Sequence, residues 1–140
     1  MMNLIKGNNP KLLKVSTDIE TRKGIKFGKK LLFFLNKYPN GLGLAAVQTG
    51  YLKRVFVMKE VPTIVINPKI MRSSMTKEGF NEGCLTFPGE YKWIERPIWV
   101  DVIFINGKME IISRTLHGMA AKVFQHELDH LNGIICIKGI

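Results

Sequence analysis

The residues best suited to chemistry lie near the C-terminus, in the run His126-Glu127-Leu-Asp-His130. This is an HExxH pattern, and histidines four residues apart lie one above the other on a helix face, so both imidazoles can bind one metal ion. Glu127 is rotated from His126 by roughly 100° around the helix, close enough to hold a water molecule on the metal without being a ligand. The alternative is a chance HExxH on a solvated helix.

The residues that precede the motif favour the metal site. Met119, Val123, His126 and His130 follow helical spacing, so one face carries both histidines and an apolar approach to them. Core packing explains Met119 and Val123 equally well, but two inward-facing histidines beside a carboxylate are most simply explained by a metal. His117 falls off this spacing and is expected to be a surface or capping residue.

A catalytic tetrahedral site needs a third protein ligand and one open position. The ten residues after His130 contain no His, Asp or Glu, so the third ligand is expected upstream or at Cys136. Cys136 lies in the apolar, strand-like run 134–137 and is more typical of a buried packing residue. Cys84 lies in the segment EGCLTFPG, where a loop could present its thiolate. The sequence therefore favours a Cys/His/His site over the ligand set of a zinc protease.

A small set of helices and strands must position these residues, in an order typical of an α+β domain. The expected elements are a helix over 17–38, strands over 54–58 and 63–66, a hairpin of strands 98–105 and 109–114, and a helix over 115–131 that ends at Asn132-Gly133. The chain contains no internal repeat, linker or low-complexity tract, so residues 1–140 are expected to form a single domain.

Turn and capping signals set the boundaries of the other elements. Thr17-Asp-Ile-Glu20 fits a capping box for the first helix. Gly24 and Gly28 weaken that helix, each by about 1 kcal/mol relative to Ala. Asn67-Pro68 should end the second strand, and Asn106-Gly107 favours a type I′ turn in the hairpin.

Composition limits the class of protein. The chain has 140 residues, of which 46% are apolar and 23% charged, so it is not a disordered tail, and its longest apolar run, 31–35, is too short to cross a bilayer. No secretory signal is evident, and two cysteines cannot form a disulfide scaffold, so a reducing compartment is expected. The net charge of +10 could attract RNA, but the basic residues are scattered along the sequence, and no dedicated nucleic-acid site is expected.

Three separated motifs resemble those of the peptide deformylase family, and they occur in the family's order. The motifs are Gly41-Leu-Gly-Leu-Ala-Ala-Val-Gln48, Glu82-Gly-Cys-Leu-Thr86 and Gln125-His-Glu-Leu-Asp-His-Leu131, and the segments 66–70 and 96–97 also resemble family positions. The resemblance covers nearly the whole chain. It implies an α+β fold in which antiparallel sheets surround a central helix that bears the HExxH motif.

The resemblance also implies a role for each motif residue. The ligands of one divalent metal ion per chain would be Cys84, His126 and His130. In the family this ion is usually Fe²⁺, although Zn²⁺, Ni²⁺ or Co²⁺ can occupy the site. Glu127 would act as general acid/base, while the side-chain amide of Gln48 and the backbone N–H of Leu85 would bind the developing oxyanion.

The implied reaction removes the formyl group from the initiator methionine of nascent polypeptides through attack by a metal-bound water, and it releases formate. The methionine side chain needs a long apolar pocket. The residues expected to bind the substrate are Gly41, Leu42, Gly43, Phe80, Met119 and Val123. Lys122 occupies a neighbouring position where an apolar residue is expected, so either its stem lines the pocket or the pocket is altered. Glu82 and Arg96 are expected to form a supporting ion pair, with Asp129 also supporting the site.

Several features depart from the family pattern. Thr86 stands where Ser is usual and Val47 where Pro is common, and neither change removes a catalytic group. Family members commonly continue past the metal helix into a further helix that in bacterial forms helps docking at the ribosome, so this sequence resembles the short forms carried by some bacteriophages. We expect a monomer in the cytoplasm of a bacterium or of a phage-infected host cell, with a weak, charge-driven ribosome association and no membrane partner. The rival classes are a metalloprotease and a nucleic-acid or ribosome-binding module that needs no metal.

Overall fold

The computed structural model of the chain describes residues 2–60 and 63–137. These described residues form two α-helices and seven β-strands. These are α1 (Thr21–Leu35), β1 (Gly43–Ala45), β2 (Val55–Met58), β3 (Ile64–Ser73), β4 (Lys77–Cys84), β5 (Phe87–Pro97), β6 (Trp99–Ile105), β7 (Ile111–His117) and α2 (Gly118–Leu131), with short 3₁₀ helices at Pro10–Leu13 and Ala46–Thr49. The α+β class expected from the sequence is confirmed. None of the described helices is long and apolar enough to span a membrane.

The larger sheet is covered by a helix on each face. Its five strands are antiparallel in the order β1-β2-β3-β6-β7. Successive side chains of a strand point to opposite faces, so Val55 and Val57 pack with α1, while Phe56 and Met58 pack with α2. Because both faces are covered, the whole of β2 is apolar and buried.

The first helix begins later than the sequence signals indicated. Its N-cap is Glu20, whose carboxylate accepts hydrogen bonds from the backbone N–H groups of Arg22 and Lys23. The capping box expected at Thr17 is therefore wrong: Thr17 forms an isolated β-bridge with Lys53. The helix also ends at Leu35 rather than near Tyr38.

The two glycines of α1 serve close packing. A Cβ atom at Gly24 would lie 3.0 Å from Cγ2 of Ile66, and one at Gly28 would lie 2.7 Å from Cγ2 of Ile64. Both isoleucines belong to β3, so the glycines let the helix approach the sheet more closely than any other residue would allow. The intrinsic cost of glycine in a helix is offset by this contact.

The third strand continues through Asn67-Pro68 instead of ending there. The pairing of β3 with β6 shifts register between Ile66 and Lys69, where Asn67 has φ of 50°. The Asn67 side chain accepts a hydrogen bond from Ile19 N–H and donates one to Ile19 C=O, both at 3.0 Å. A proline at a bulge removes no regular ladder bond, so the strand passes through the pair.

The β6–β7 hairpin is closed by a longer loop than the type I′ turn expected at Asn106-Gly107. The left-handed residue of the loop is Met109, with φ of 63°, and neither Asn106 nor Gly107 has positive φ. The Asn106 side chain accepts hydrogen bonds from the backbone N–H groups of Lys108 and Glu110 at 2.9 and 3.0 Å. These side-chain bonds stabilise a wider turn.

The two strands of the second sheet, β4 and β5, were not among the strands predicted from the sequence. Strands β4 and β5 form a two-stranded antiparallel sheet in which Cys84 pairs with Phe87. Cys84 therefore ends a strand, and its expected position in an open loop is wrong. Helix α2 contacts strands of both sheets. It starts three residues later than expected because residues 115–117 belong to β7, and it ends as expected, with Asn132 as C-cap and Gly133 at φ of 73°.

Candidate active site

The HExxH motif occupies the buried side of α2. His126 and His130 are 7% and 2% exposed, and their ring centroids are 5.1 Å apart. The end of β4 brings the Cys84 Sγ to 3.4 Å from the His130 Nε2. Ligand atoms of these three residues all lie within 4.8 Å of one another. One thiolate and two imidazoles in this arrangement fit a divalent transition metal, with a coordination position left for a water molecule or a substrate.

A chain of ionic hydrogen bonds supports His126 from behind. Its Nδ1 lies 2.8 Å from the Glu82 Oε1, and Arg96 donates to both oxygens of Glu82, at 2.5 and 2.9 Å. Arg96 also donates to the carboxylate of Asp129 at 3.0 Å. The expected Glu82–Arg96 ion pair is thus present, and Asp129 supports it. When Nδ1 carries the proton shared with Glu82, Nε2 is free to bind a metal.

Burial and charge set the ionisation of the groups around the site. Burial by itself would raise the pKa of Glu82, but hydrogen bonds with His126 and Arg96 outweigh it and lower that pKa to about 2. For His130, burial, followed by the charges of His126 and Arg96, lowers the pKa to about 3. An anionic Glu82 and a neutral His130 imidazole are the forms that a metal site requires.

The carboxylate of Glu127 is buried without a partner. Its Oε1 accepts no hydrogen bond from the described part of the chain. Burial raises the pKa of Glu127 to about 7, which is the range suited to a group that both accepts and returns a proton near neutral pH. A Cβ at Gly43 would lie 2.8 Å from the Glu127 Oε2, so only glycine leaves the carboxylate in place.

Gln48 projects from the 3₁₀ helix Ala46–Thr49 toward the same site. Its Oε1 accepts from Ala45 N–H at 2.8 Å, and its Nε2 donates to the Cys84 Sγ at 3.3 Å and to the Thr86 Oγ1 at 2.9 Å. The hydroxyl of Thr86 thus fixes the orientation of the amide. To bind the Gln48 amide, an oxyanion would have to replace the Cys84 Sγ as the acceptor of one Nε2–H.

A single pocket of about 420 Å³ joins these groups. Its lining includes all of the residues expected to bind the substrate, which are Gly41, Leu42, Gly43, Phe80, Met119 and Val123. Gln48, Cys84, Leu85, His126 and Glu127 also line it. The structure therefore brings the motif residues and the apolar positions into one cleft between the two sheets.

Lys122 follows the first of the two alternatives that the sequence left open, with its ammonium held outside the pocket. Its stem lines the pocket, while its Nζ lies 2.6 Å from the Glu78 Oε1 and 4.9 Å from the ring centroid of Phe80. The ammonium is therefore directed toward an exposed carboxylate at the start of β4 rather than into the pocket. Sequence reasoning missed Tyr38 and Tyr91, which also line the pocket, because no motif marks them.

Two remaining expectations concern Cys136 and His117. Residues 134–137 do not form a strand, and the Sγ of the half-buried Cys136 lies 3.6 Å from the His126 Nδ1, so this residue contacts the back of the metal site instead of only filling the core. A second group of ligand-type atoms, from Glu82, His126 and Cys136, results from this contact.

His117 is exposed and occupies the N-cap position of α2 without a capping hydrogen bond from its side chain.

Several peptide deformylases are similar to this chain in sequence. A peptide deformylase of Thermotoga petrophila is 46% identical over 103 residues, which cover 72% of this chain and 63% of that protein. The peptide deformylase of Rhizobium meliloti is 35% identical over 141 residues, covering 94% of this chain and 80% of that protein. The match thus spans just under two thirds of the length of the Thermotoga petrophila relative and more of the Rhizobium meliloti one.

Solved structures share the fold. The crystal structure of peptide deformylase from Thermotoga maritima superposes with a TM-score of 0.92 at 36% identity, covering 100% of this chain and 97% of that one. A probable peptide deformylase from Synechococcus phage S-SSM7 gives a TM-score of 0.88 at 31% identity, covering 96% of this chain and 97% of that one. A family model described as polypeptide deformylase matches residues 1–140. The chain therefore belongs to the polypeptide deformylase family.

Proposed function

We propose that this protein is a metal-dependent hydrolase that removes the N-formyl group from the initiator methionine of nascent polypeptides and releases formate. One observation carries the proposal: a Cys/His/His ligand cluster lies beside a buried glutamate whose Oε1 has no hydrogen-bond partner among the described residues, in an apolar pocket. Family membership supports the same reaction.

Cys84, His126 and His130 would hold the metal, which when bound lowers the pKa of a water molecule and polarises the formyl carbonyl. Glu127 takes a proton from the attacking water as its oxygen bonds to the formyl carbon. The same carboxyl then gives the proton to the methionine nitrogen as the C–N bond breaks. The products are formate and a free amino terminus, and the carboxylate is restored.

Two donors would stabilise the oxygen of the tetrahedral intermediate. The Gln48 amide is already oriented by Thr86 and Ala45, and the backbone N–H of Leu85 belongs to the turn that follows Cys84. Preorganised donors of this kind are typically worth about 3 kcal/mol of barrier each. Orientation of Gln48 before the substrate arrives means that little reorganisation accompanies the reaction.

The pocket lining matches a methionine side chain. Leu42, Phe80, Met119 and Val123 present apolar surface, and the Lys122 stem adds more. Gly41 and Gly43 would let the substrate backbone approach the site closely. We further propose that Fe²⁺ is the native ion and that Zn²⁺, Ni²⁺ or Co²⁺ can replace it, since a thiolate and two imidazoles suit each of these ions. The protein would work as a monomer in the cytoplasm of a bacterium or of a phage-infected cell.

The proposal is tested by measuring formate release from a formyl-Met peptide with Fe²⁺- or Ni²⁺-loaded protein. We expect turnover by the wild type, and we expect E127A to lose at least about 10³-fold in kcat while it retains metal. C84S should lose metal as well as activity, whereas the matched variant C136S should keep both. Cleavage of internal peptide bonds with the formyl group left intact would overturn the proposal.

A further inference from the structure

The net charge of the protein is concentrated in one segment. Residues 21–59 contain nine Lys and Arg and no Asp or Glu, whereas the rest of the chain has twelve basic and eleven acidic residues. Nearly all of the net charge of +10 therefore comes from α1 and the region that follows it. Six of these nine basic residues lie on α1 and in the turn that follows it.

Helix α1 displays most of this charge on its outer side. The exposed basic residues of α1 and its C-terminal turn are Arg22, Lys23, Lys26, Lys29, Lys30 and Lys37, which we call the α1 basic face. At 100° per residue, those within the helix occupy an arc of roughly 120°. Within residues 2–60 and 63–137, none of the six forms an ion pair with a carboxylate. The face is therefore available to an external anion.

The spacing of these charges suits a polymer of phosphates. Arg22 to Lys30 span roughly 12 Å along the helix and carry five positive charges. This is about one charge per 3 Å, close to the roughly 3.4 Å per phosphate along a nucleic-acid strand. A small anion would need only one or two of these side chains.

The apolar side of α1 is already occupied. Leu31, Phe34 and Leu35 are buried against the larger sheet. A membrane-surface helix needs a free apolar face to enter the lipid, and α1 has only Phe33 exposed on its basic side. The charge pattern therefore favours a nucleic acid over a lipid surface.

Phe33 adds a second type of contact. Its ring is 71% exposed, and the Lys37 Nζ lies 5.6 Å from the ring centroid. An exposed aromatic ring among cations is suited to stacking an unpaired base while the cations bind phosphates. Unpaired bases are typical of the loops and single strands of folded RNA.

We propose that the α1 basic face binds single-stranded or loop segments of RNA. The face ends close to the pocket along the chain, because Tyr38, which lines the pocket, directly follows Lys37. Binding of RNA to this face would contradict the expectation of no dedicated nucleic-acid site, and it would not depend on the proposed hydrolase activity.

The experiment measures binding of a fluorescently labelled single-stranded RNA to the metal-loaded full chain by anisotropy at several salt concentrations. About five phosphate contacts, each contributing roughly −0.7 to the slope of log K against log salt, predict roughly 100-fold weaker binding at 200 mM than at 50 mM. K26E/K29E/K30E should weaken binding at least tenfold at fixed salt. Formate release from a short formyl-Met peptide should be unchanged in this variant if the proposed function is right.

The matched control is K69E/K77E/K108E, which changes the net charge equally through exposed lysines outside α1. It should weaken RNA binding much less than the α1 variant. F33A should lose affinity for single-stranded RNA but not for an RNA duplex. Equal losses in the two triple variants would mean diffuse attraction only and would overturn the proposal. Stronger binding of the wild type to phosphatidylserine vesicles than to RNA would also overturn it.

Discussion

Glu82 is the residue that joins α2 to the two-stranded β4–β5 sheet. It accepts from Arg96 and shares a hydrogen bond with the Nδ1 of His126, and both oxygens are used. A buried carboxylate with a pKa of about 2 stays ionised, so it fixes the orientation of the imidazole and would make it a stronger metal ligand.

We predict that Glu82→Gln weakens metal binding by about 10–100-fold, because the neutral amide no longer increases the basicity of His126. Competition with a chelator measures the metal Kd. Asp129→Asn is the matched control, since the Asp129 carboxylate accepts from Arg96 and not from His126, and its loss should change metal affinity less. Equal metal affinity in wild type and Glu82→Gln would show that Glu82 serves packing alone.

The site leaves no room for a side chain at position 43, which is occupied by glycine. An added Cβ would meet the Glu127 Oε2 at 2.8 Å and the Val123 Cγ1 at 3.0 Å. We predict that Gly43→Ala displaces the Glu127 carboxylate and lowers kcat for formate release by about 100-fold, since small misplacements of a catalytic group are costly. Metal content should stay unchanged, because Glu127 is not a proposed ligand.

Gly107→Ala is the control for Gly43→Ala. An added Cβ there meets only the Cδ1 of Ile64, the flexible end of a side chain, at 3.1 Å, and the position lies in the β6–β7 loop. Activity should be retained. If Gly43→Ala keeps full kcat, the carboxylate has another position from which it can act.

Among the elements, β3 shows how a single side chain lets a strand change direction. Asn67 has positive φ and ties the bulge to Ile19, just before α1, so the strand continues to Ser73 and reaches β6 along its length. The packing of α1 against the sheet depends on the same region of β3, because Gly24 lies against Ile66.

We predict that Asn67→Ala lowers the free energy of unfolding by about 2–3 kcal/mol, from two lost hydrogen bonds and an unfavourable left-handed backbone. Asn67→Gly should cost less, because glycine accepts positive φ and only the hydrogen bonds are lost. Urea unfolding measures both. Equal losses in the two variants would remove the backbone contribution from this explanation.

For the molecule as a whole, the site is a source of instability when no metal is bound. The pKa of Glu127 is raised from 4.5 to about 7 by burial, so the folded state keeps a proton that the unfolded state has released. The resulting loss in the free energy of unfolding is absent below about pH 4.5, grows as the pH rises toward 7 and then stays constant. Above pH 7 it amounts to about 3 kcal/mol at most.

We therefore predict that Glu127→Gln stabilises the metal-free protein at pH 8 but not at pH 4.5, because the amide has no proton to lose. Thermal unfolding of metal-free wild type and variant at the two pH values measures the difference. A gain in Tm of the same size at both values would point to a packing effect and contradict the electrostatic explanation.

Much of the fold was predictable because it follows from local stereochemistry. The helical spacing of Met119, Val123, His126 and His130 identified α2 and its buried face, and Asn132-Gly133 marked its end. The predicted boundaries were wrong where a side chain accepts an unexpected hydrogen bond from the nearby backbone, as at Glu20 and Asn106. Strands β4 and β5 were not predicted because their sequences are rich in glycine and charged residues and show little alternation of apolar and polar residues.

The sequence by itself determined the chemistry available: two imidazoles and a carboxylate on one helix, a thiol in a glycine-flanked segment, and an amide after the GLGLAAV run. Only the tertiary structure decided that these groups meet. Cys84 and His130 are 46 residues apart in the chain, and the Glu82–Arg96–Asp129 network, the contact of Gly43 with Glu127 and the thiol of Cys136 behind His126 all join separate elements. Periodicity and capping depend on neighbours within one or two turns, whereas these contacts depend on how α2 and the two sheets pack against one another.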